Sequence, residues 1–461
     1  MSFARSMRRP DFRSGLPLIL VVVLLGLLWL AGGASREDAL GQVVVRGGAW
    51  LAIAITALVG SRPAVGPVRP VLVLLLATIM LPLLQLIPLP PSWWQALPGR
   101  DVLLIPGETS LPWRPWTMTP GATYNSLASL VVPAAMFLLL VQLDEKARAW
   151  LPAILLAMVT SAVILGLFQF SGARINNPLI NETPGLVSAI FANRNHFALL
   201  TAMGCLIAPV WAFQDSEALK WRGPVAIGLV MLFVLMILAT GSRSGILLGV
   251  LALVIGIALV GARLKRRLRQ APKWVFPVLL AALVVTFVGV ILLSVAADRA
   301  VSIQRLILHN ADEDLRQRTM PTILAMIELY LPLGSGFGGF DPVFRIHEPL
   351  ALLKPTYFNQ AHNDFLGITL DGGLPALALL LAAFGWWLVA TARVWRASHA
   401  EPAVLARLGS AILFLVFVGS AIDYPARTPT IMAIIVIAAT WLARGRPDKS
   451  VAALPAEHPH L

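Results

Sequence analysis

The side chains best suited to chemistry gather between Arg316 and Pro375, a stretch that opens RQRTMPTILAMIELYLPLGSGFGGF and closes AHNDFLGITLDGGLP. His362 stands at the mouth of a helix signal, and an imidazole, titrating near neutral pH, suits a general base. Arg316 and Arg318 stand at the start of this stretch, and Arg243, upstream of it, has a five-donor fork that suits bidentate phosphate recognition. Asn363 and Asp364 follow the histidine, and either fits a helix N-cap as well as a substrate contact. Two more clusters lie upstream: Arg194 and His196 within FANRNHFALL, and Arg243 within ATGSRSGILL. An ionisable group in or beside a membrane span is costly unless it faces a partner or a cavity, which makes such residues functional candidates. Gly334–Gly339 formally satisfies G-x-G-x-x-G, but no strand precedes it, so the glycines read as tight turns or a close backbone approach to a ligand. No His/Asp/Glu group has metal-ligand spacing, and neither metal nor cofactor is expected.

These residues are set in a chain of 461 positions, 58% hydrophobic and 13% charged, with mean hydropathy +0.79. Soluble domains carry about 25% charged residues, so a soluble globule is excluded. Runs of about 20 apolar residues recur, each long enough to cross a hydrocarbon core of about 30 Å. The chain reads as an all-α polytopic membrane protein, one integral membrane domain over 1–461. About twelve spans are expected, near Leu16–Gly33, Val43–Gly60, Val68–Pro88, Gly121–Leu143, Arg148–Ser171, Ala189–Phe213, Gly223–Gly241, Arg243–Gly261, Lys273–Ala296, Asp371–Thr391, Ala403–Ala421 and Thr428–Ala443. The lone cysteine, Cys205, lies inside an apolar run and forms no intrachain disulfide.

The net charge of +13 raises nucleic acid as a partner, but its distribution points to membrane orientation. With the N-terminus inside, cytoplasmic segments hold 22 Lys and Arg against 8 outside, once the one long loop is exempted. Both termini are then cytoplasmic, and no nucleic acid is expected. The basic segment Ala262–Lys273 touches anionic lipid headgroups in this scheme. The opening MSFARSMRRPDFR and the short apolar run after it have the form of a signal peptide, with Ala31–Ala34 as a cleavage region. The many spans that follow favour an uncleaved first helix.

Two outer loops stand out. Residues 89–120 are too rich in Pro and Gly for a regular helix, and Trp93, Trp94, Trp113 and Trp116 suit headgroup anchoring or stacking on sugars. Residues 297–362 form the large loop. Its segment through Leu324, Ile327 and Tyr330 has helical apolar spacing, which predicts an amphipathic helix with Arg316 and Arg318 near its start and Pro321 in its first turn. His309 reads as solvated. A turn at Gly241–Gly245 spares Arg243 a mid-membrane position and puts it at the outer surface.

The ordered set of TGSRSG, an arginine ahead of an amphipathic segment ending PLGSGFGGF, and HND followed by a glycine pair resembles the O-antigen ligase and polysaccharide polymerase family of bacterial membrane glycosyltransferases. The resemblance is diffuse over roughly Gly121–Ala443 and sharp from about Ala189 to Pro375, with a ligase- or polymerase-like core over 189–391. It implies a GT-C-like multi-helix fold in the inner membrane. It also implies transfer of glycan from undecaprenyl diphosphate to a glycan or lipid A-core acceptor on the periplasmic side, generally without metal. Carried over by residue, Arg243 and Arg316 hold the donor diphosphate, with Arg318 competing for the second role, and His362 activates the acceptor hydroxyl. Arg194, His196, Asn363 and Asp364 are the expected substrate contacts. The family's His-Asn is followed by nine residues and Gly-x-x-Gly. Here Ala376 replaces the second glycine, and with the long first loop this leans toward a polymerase over a ligase.

The chemistry suits that set. Fixed guanidiniums stabilise charge building on the leaving diphosphate, and a neutral imidazole accepts the hydroxyl proton. The rival reading is a transporter or flippase of lipid-linked glycans, which predicts charges buried at mid-membrane and two related halves. The candidates here collect at one face, and no internal repeat is visible.

Overall fold

The computed structural model describes residues 12–60, 65–104, 111–173, 175–181, 185–215, 219–270, 311–353, 358–397 and 401–445, with the isolated positions 106 and 281. The first helices are α1 (Phe12–Ala31), α2 (Gly41–Val59), α3 (Arg69–Gln85) and the short α4 (Pro91–Trp94). Then come α5 (Pro120–Ser129) and α6 (Val131–Gln142), which cross together, followed by α7 (Glu145–Phe170), α8 (Arg194–Ala212), α9 (Leu219–Ala239) and α10 (Arg243–Gln270). The second half holds α11 (Ala311–Tyr330), α12 (Phe340–His347), α13 (Asp364–Arg396), α14 (Glu401–Ile422) and α15 (Pro429–Arg444). Among the described residues nine helices are long and apolar enough to cross a membrane, and α1 and α15 are shorter apolar helices. The protein is an all-α polytopic membrane protein. Eleven of the twelve expected spans coincide with these helices; the ninth, Lys273–Ala296, lies outside the described residues, as do His309 and the tail before Phe12.

Two bodies of apolar packing organise the chain. The larger is the bundle itself, with α8 at its centre and nearly every α8 side chain buried among α7, α9, α10 and α14. The smaller lies in the large loop. There Ile323, Met326 and Tyr330 of α11 pack on Phe340, Val343 and Phe344 of α12 and on Phe358. This corrects the expected stripe: Leu324 is 50% exposed, and the buried face runs through Ile323 and Met326 instead. Because α11 begins at Ala311, Pro321 lies in its interior rather than in its first turn.

The helix leading from the histidine starts at Asp364, where the His362–Asp364 signal predicts it, and runs on into the span expected from Asp371. Asn363 caps it, its Oδ1 accepting from the Leu366 N–H at 3.1 Å, an arrangement that satisfies one orphan donor of the first turn. Asp371 therefore sits two turns in, at a kink. Gly373 there has φ +61° and ψ −150°, outside the helical region, and a Cβ on it would collide with the Pro332 carbonyl. Pro375 has no N–H to return to the Asp371 carbonyl, which instead accepts from Gln85 Nε2 and the Gly336 N–H, both at 2.9 Å. The Leu374 N–H turns to the Pro332 carbonyl at 2.8 Å, and the Leu370 carbonyl takes the Ser335 N–H at 2.9 Å. The Leu370 and Asp371 carbonyls thus dock the glycine loop Gly334–Gly339, while Gln85 and Pro332 take up the neighbouring groups, as buried amides require.

That loop and the first outer loop are also tied to each other. Gly336 has φ +116°, and any side chain there would occupy the space of Thr117. Buried Arg100 donates to the carbonyls of Gly334 at 2.8 Å and Trp116 at 2.9 Å, and burial lowers its pKa to about 10. Two of the four tryptophans serve as internal fasteners rather than anchors: Trp94 is buried, and Trp116 Nε1 donates to the Leu333 carbonyl. Trp93 and Trp113 remain exposed.

Candidate active site

Five segments distant in sequence meet at one end of the bundle: the start of α8, the turn before α10, the start of α11, the residues before α13, and the link 423–428 between α14 and α15. The opposite end carries other groups, such as Arg407, which donates to the Ala397 carbonyl at 2.7 Å, and Arg263, which donates to that of Phe213 at 3.1 Å.

At the meeting point is a residue the sequence reading did not single out, Asp423. It is buried, and both of its oxygens are occupied. Oδ1 lies 3.0 Å from His362 Nδ1 and accepts from the Tyr424 N–H at 3.1 Å. Oδ2 accepts from Asn195 Nδ2 at 2.6 Å and Asn193 Nδ2 at 2.9 Å, with Arg316 Nη2 at 3.9 Å. Burial alone would push this carboxyl up. The hydrogen bond and charge of His362, helped by His196 and Arg316, overcome it and hold the group well below the usual carboxylate range. Beside it the Tyr424 phenol is pushed up to about 12 by burial and by Asp423, so it stays neutral.

The ionised carboxylate fixes the histidine's chemistry. A carboxylate can only accept, so Nδ1 of His362 must carry the proton and Nε2 is left as the basic nitrogen. Phe358 and Tyr424 hold the ring from two sides, at centroid distances of 5.1 and 5.0 Å. The backbone contributes as well: His362 has φ +48°, a left-handed conformation uncommon outside glycine, immediately before the cap Asn363.

Of the two loop arginines, Arg316 is the one turned to this cluster. Its Nη1 donates to the Ile422 carbonyl at 3.3 Å, and its 3.9 Å approach to Asp423 is too long for a hydrogen bond. Most of a five-donor fork is therefore available to an anion. Arg318, one position past the next, is exposed.

Arg243 opens α10 directly after Ser242, which is tied into the same network. Ser242 Oγ donates to Asn195 Oδ1 at 2.7 Å, and Asn195 in turn reaches Asp423. The turn that carries Arg243 is thus two hydrogen bonds from the residue that holds His362. Arg194 opens α8 immediately after its cap Asn193, whose Oδ1 accepts from the Asn195 N–H at 2.8 Å.

Three expected substrate contacts have other surroundings in the structure. His196 is 2% exposed and lies beneath the cluster, 3.1 Å from Thr428 Oγ1 and edge-on to Tyr424. Asn363 is the cap of α13 and donates to the Ala421 carbonyl at 3.0 Å. Asp364 is buried, accepting from Ser420 Oγ at 2.9 Å and the Ala426 N–H at 3.1 Å. Arg427, also absent from the sequence reading, bridges it to Asp371: its Nε is 3.5 Å from Asp364 Oδ1, and its Nη2 is 3.2 Å from Asp371 Oδ2. A signal for these residues does exist in the chain. IDYPARTP places an acid and a base in a short link between two apolar helices, where charge is expensive unless used.

A cavity of about 400 Å³ adjoins the cluster on the side of α2 and α5. Its lining includes Asn359, whose side chain hydrogen-bonds Tyr424, together with Asp364 and Arg427, but neither His362, Arg316 nor Asp423.

No curated protein matches the chain. Residues 227–381 match the family model described as O-Antigen ligase. The matched stretch includes Arg243, Arg316, Arg318 and His362, while Asn193, Asn195 and Asp423 fall on either side of it. Over residues 227–381 the chain carries the O-antigen ligase family pattern, which bears out the resemblance drawn from TGSRSG, the loop arginine and HND.

Proposed function

We propose that the chain transfers or polymerises glycan from undecaprenyl diphosphate, at the periplasmic face of the bacterial inner membrane, with both termini cytoplasmic. The observation that carries this reading is the approach of His362 and Arg316 to one buried carboxylate, with the Arg243 turn bound into the same hydrogen-bond network. In the reaction the acceptor hydroxyl oxygen bonds to the anomeric carbon as the bond from that carbon to the diphosphate oxygen breaks. The hydroxyl proton passes to Nε2 of His362, and the electron pair leaves with undecaprenyl diphosphate. Arg316 and Arg243 offset the charge that builds on the diphosphate, which is where fixed donors accelerate such a step. Asp423 keeps the imidazole in the tautomer that accepts the proton and stabilises the imidazolium that results.

The family match supports glycan transfer in general, and the 22-to-8 excess of Lys and Arg on the other side supports the periplasmic placement. The test is transfer by purified protein supplied with undecaprenyl-diphosphate-linked glycan. His362→Ala and Arg243→Ala variants are expected to lose it, and wild-type rates in both would sink the assignment. The glycan profile of a deletion strain separates the two reaction types. Surface glycans of a single repeat indicate a polymerase, and finished polymer stranded on its lipid indicates a ligase.

A further inference from the structure

A second cavity, of about 370 Å³, lies at the end of the bundle opposite His362, where the starts of α7, α9 and α14 meet the ends of α8 and α10. Arg222 and Arg263 line it, and the last turn of α8 fixes both. Arg222 Cζ lies 5.1 Å from the Trp211 ring centroid and 5.5 Å from that of Trp221, and the two indoles are edge-on to each other at 5.5 Å. Arg263 Nη1 donates to the Phe213 carbonyl at 3.1 Å. Held in this way, both guanidiniums keep donors open. Among the described residues Arg222 makes no hydrogen bond and no ion pair; its Nε is closed off, but its two Nη atoms are accessible. Arg263 uses one nitrogen on Phe213, and its Nε and Nη2 are accessible and unbonded. Stacking on an indole leaves the edge of a guanidinium free for two-point contact with an oxyanion. Asp215 is the one acid among the described lining residues, and it is exposed. The remaining walls are largely apolar, formed by Trp150, Ala153, Val404 and Leu405, and Trp150 and Trp221 are themselves exposed. The volume falls within the usual span of small-molecule sites. An occupant that fits joins an anionic group to an apolar body at the level where the spans end.

We infer that this cavity holds the phosphate of an anionic glycerophospholipid from the leaflet opposite the His362 cluster, the cytoplasmic leaflet in the orientation proposed above. Arg222 and Arg263 donate to the phosphate oxygens, and the glycerol and first acyl carbons lie against Trp150, Val404 and Leu405. A free phosphate shares the anionic chemistry but has nothing to set against the apolar walls. The site is separate from the transfer centre and does not depend on the glycan-transfer reading. It also differs from the diffuse attraction of the basic segment Ala262–Lys273 for headgroups, because its two guanidiniums are fixed in a recess.

The experiment titrates full-length protein in detergent with dioleoyl phosphatidylglycerol, dioleoyl phosphatidylcholine and glycerol phosphate, and counts bound molecules by native mass spectrometry. Wild type should bind phosphatidylglycerol roughly tenfold more tightly than phosphatidylcholine, the scale of one hydrogen bond to a charged group. Glycerol phosphate should bind more weakly than phosphatidylglycerol. The double variant Arg222→Gln, Arg263→Gln should lose the preference between the two lipids. Lys265→Gln with Arg266→Gln, at exposed positions of α10 outside the cavity, should keep it. Ala153→Phe, which narrows the cavity from α7 with both arginines intact, should weaken phosphatidylglycerol binding, and it decides the matter if the arginine variant does not fold. Melting temperatures near that of wild type identify the folded variants. No lipid preference in wild type, or unaltered binding by folded Ala153→Phe, overturns the site. Equal losses in the two double variants overturn it in favour of a diffuse basic surface, and glycerol phosphate bound as tightly as phosphatidylglycerol overturns it in favour of a soluble anion.

Discussion

Nδ1 of His362 lies 3.0 Å from Oδ1 of Asp423, a residue 61 positions further along the chain, on the link between α14 and α15. This pair turns a histidine at a helix mouth into a base of defined tautomer, and it makes the carboxylate the element through which three other segments reach the imidazole. Asp423→Asn preserves shape and removes the obligatory acceptor, so the ring is free to carry its proton on the wrong nitrogen. Transfer should fall by about 10²-fold or more, the scale of a general base. A rate within a factor of two or so of wild type would show that His362 does not depend on this partner.

The same carboxylate predicts a pH dependence of stability. Its pKa in the folded protein is depressed, so its contribution is fully present above the ordinary aspartate value of about 3.9 and is lost as pH falls toward the depressed value. The gap in melting temperature between wild type and Asp423→Asn should be constant from about pH 5 to 8 and should narrow below about pH 4. A gap that closes between pH 6 and 7 would indicate that another group controls it.

Arg316 and Arg318 are two residues apart and equivalent by charge, yet only Arg316 approaches Asp423. Alanine at position 316 should reduce transfer by about 10²-fold, as for removal of a donor that meets developing charge. Alanine at 318, on the exposed side, should cost a few-fold at most. Steady-state transfer with each purified variant decides the order, and equal losses would argue against Arg316 as the diphosphate contact.

Much of the architecture was legible in the chain because a bilayer imposes one strong rule, about 20 apolar residues per crossing. That rule located eleven spans among the described residues. The motif residues were legible through type: an imidazole and guanidiniums in an apolar chain stand out. What holds them was hidden, because the holding residues are spread over long sequence distances. Asn193, Asn195 and Asp423 become one network only when α8 and α14 lie side by side. His196 shows the converse limit. It has the type and position of a substrate contact, but tertiary packing encloses it under Tyr424. The start of α13 was legible because Asn363 is a capping residue ahead of an apolar run, whereas the links of Asp364 and Asp371 to Arg427 depend on a segment far along the chain.

At Gly373 the backbone has φ +61° and ψ −150°, and the Pro332 carbonyl fills the place of a side chain. Gly373→Ala meets both a conformational penalty of about 1–3 kcal/mol and a steric one. The protein should melt at lower temperature. Because the glycine loop hangs on the freed carbonyls of Leu370 and Asp371, protease sensitivity within Gly334–Gly339 should rise with it. Melting unchanged from wild type would mean that the kink is not required.

Arg427 is the single guanidinium between two buried carboxylates, Asp364 and Asp371. Removing it leaves two negative groups in a space that water barely reaches. Breaking a buried pair from one side typically costs about 3–5 kcal/mol, because the remaining charge is uncompensated. Arg427→Met should therefore destabilise the protein strongly in detergent. Neutralising the partners should return part of the loss, since an amide buried in place of a carboxylate carries no charge to desolvate. The informative comparison is the triple variant Arg427→Met, Asp364→Asn, Asp371→Asn against Arg427→Met alone. Recovery of several degrees in melting temperature is expected. A triple variant no more stable than the single one would show that Arg427 acts through packing against Gly367 rather than through its charge.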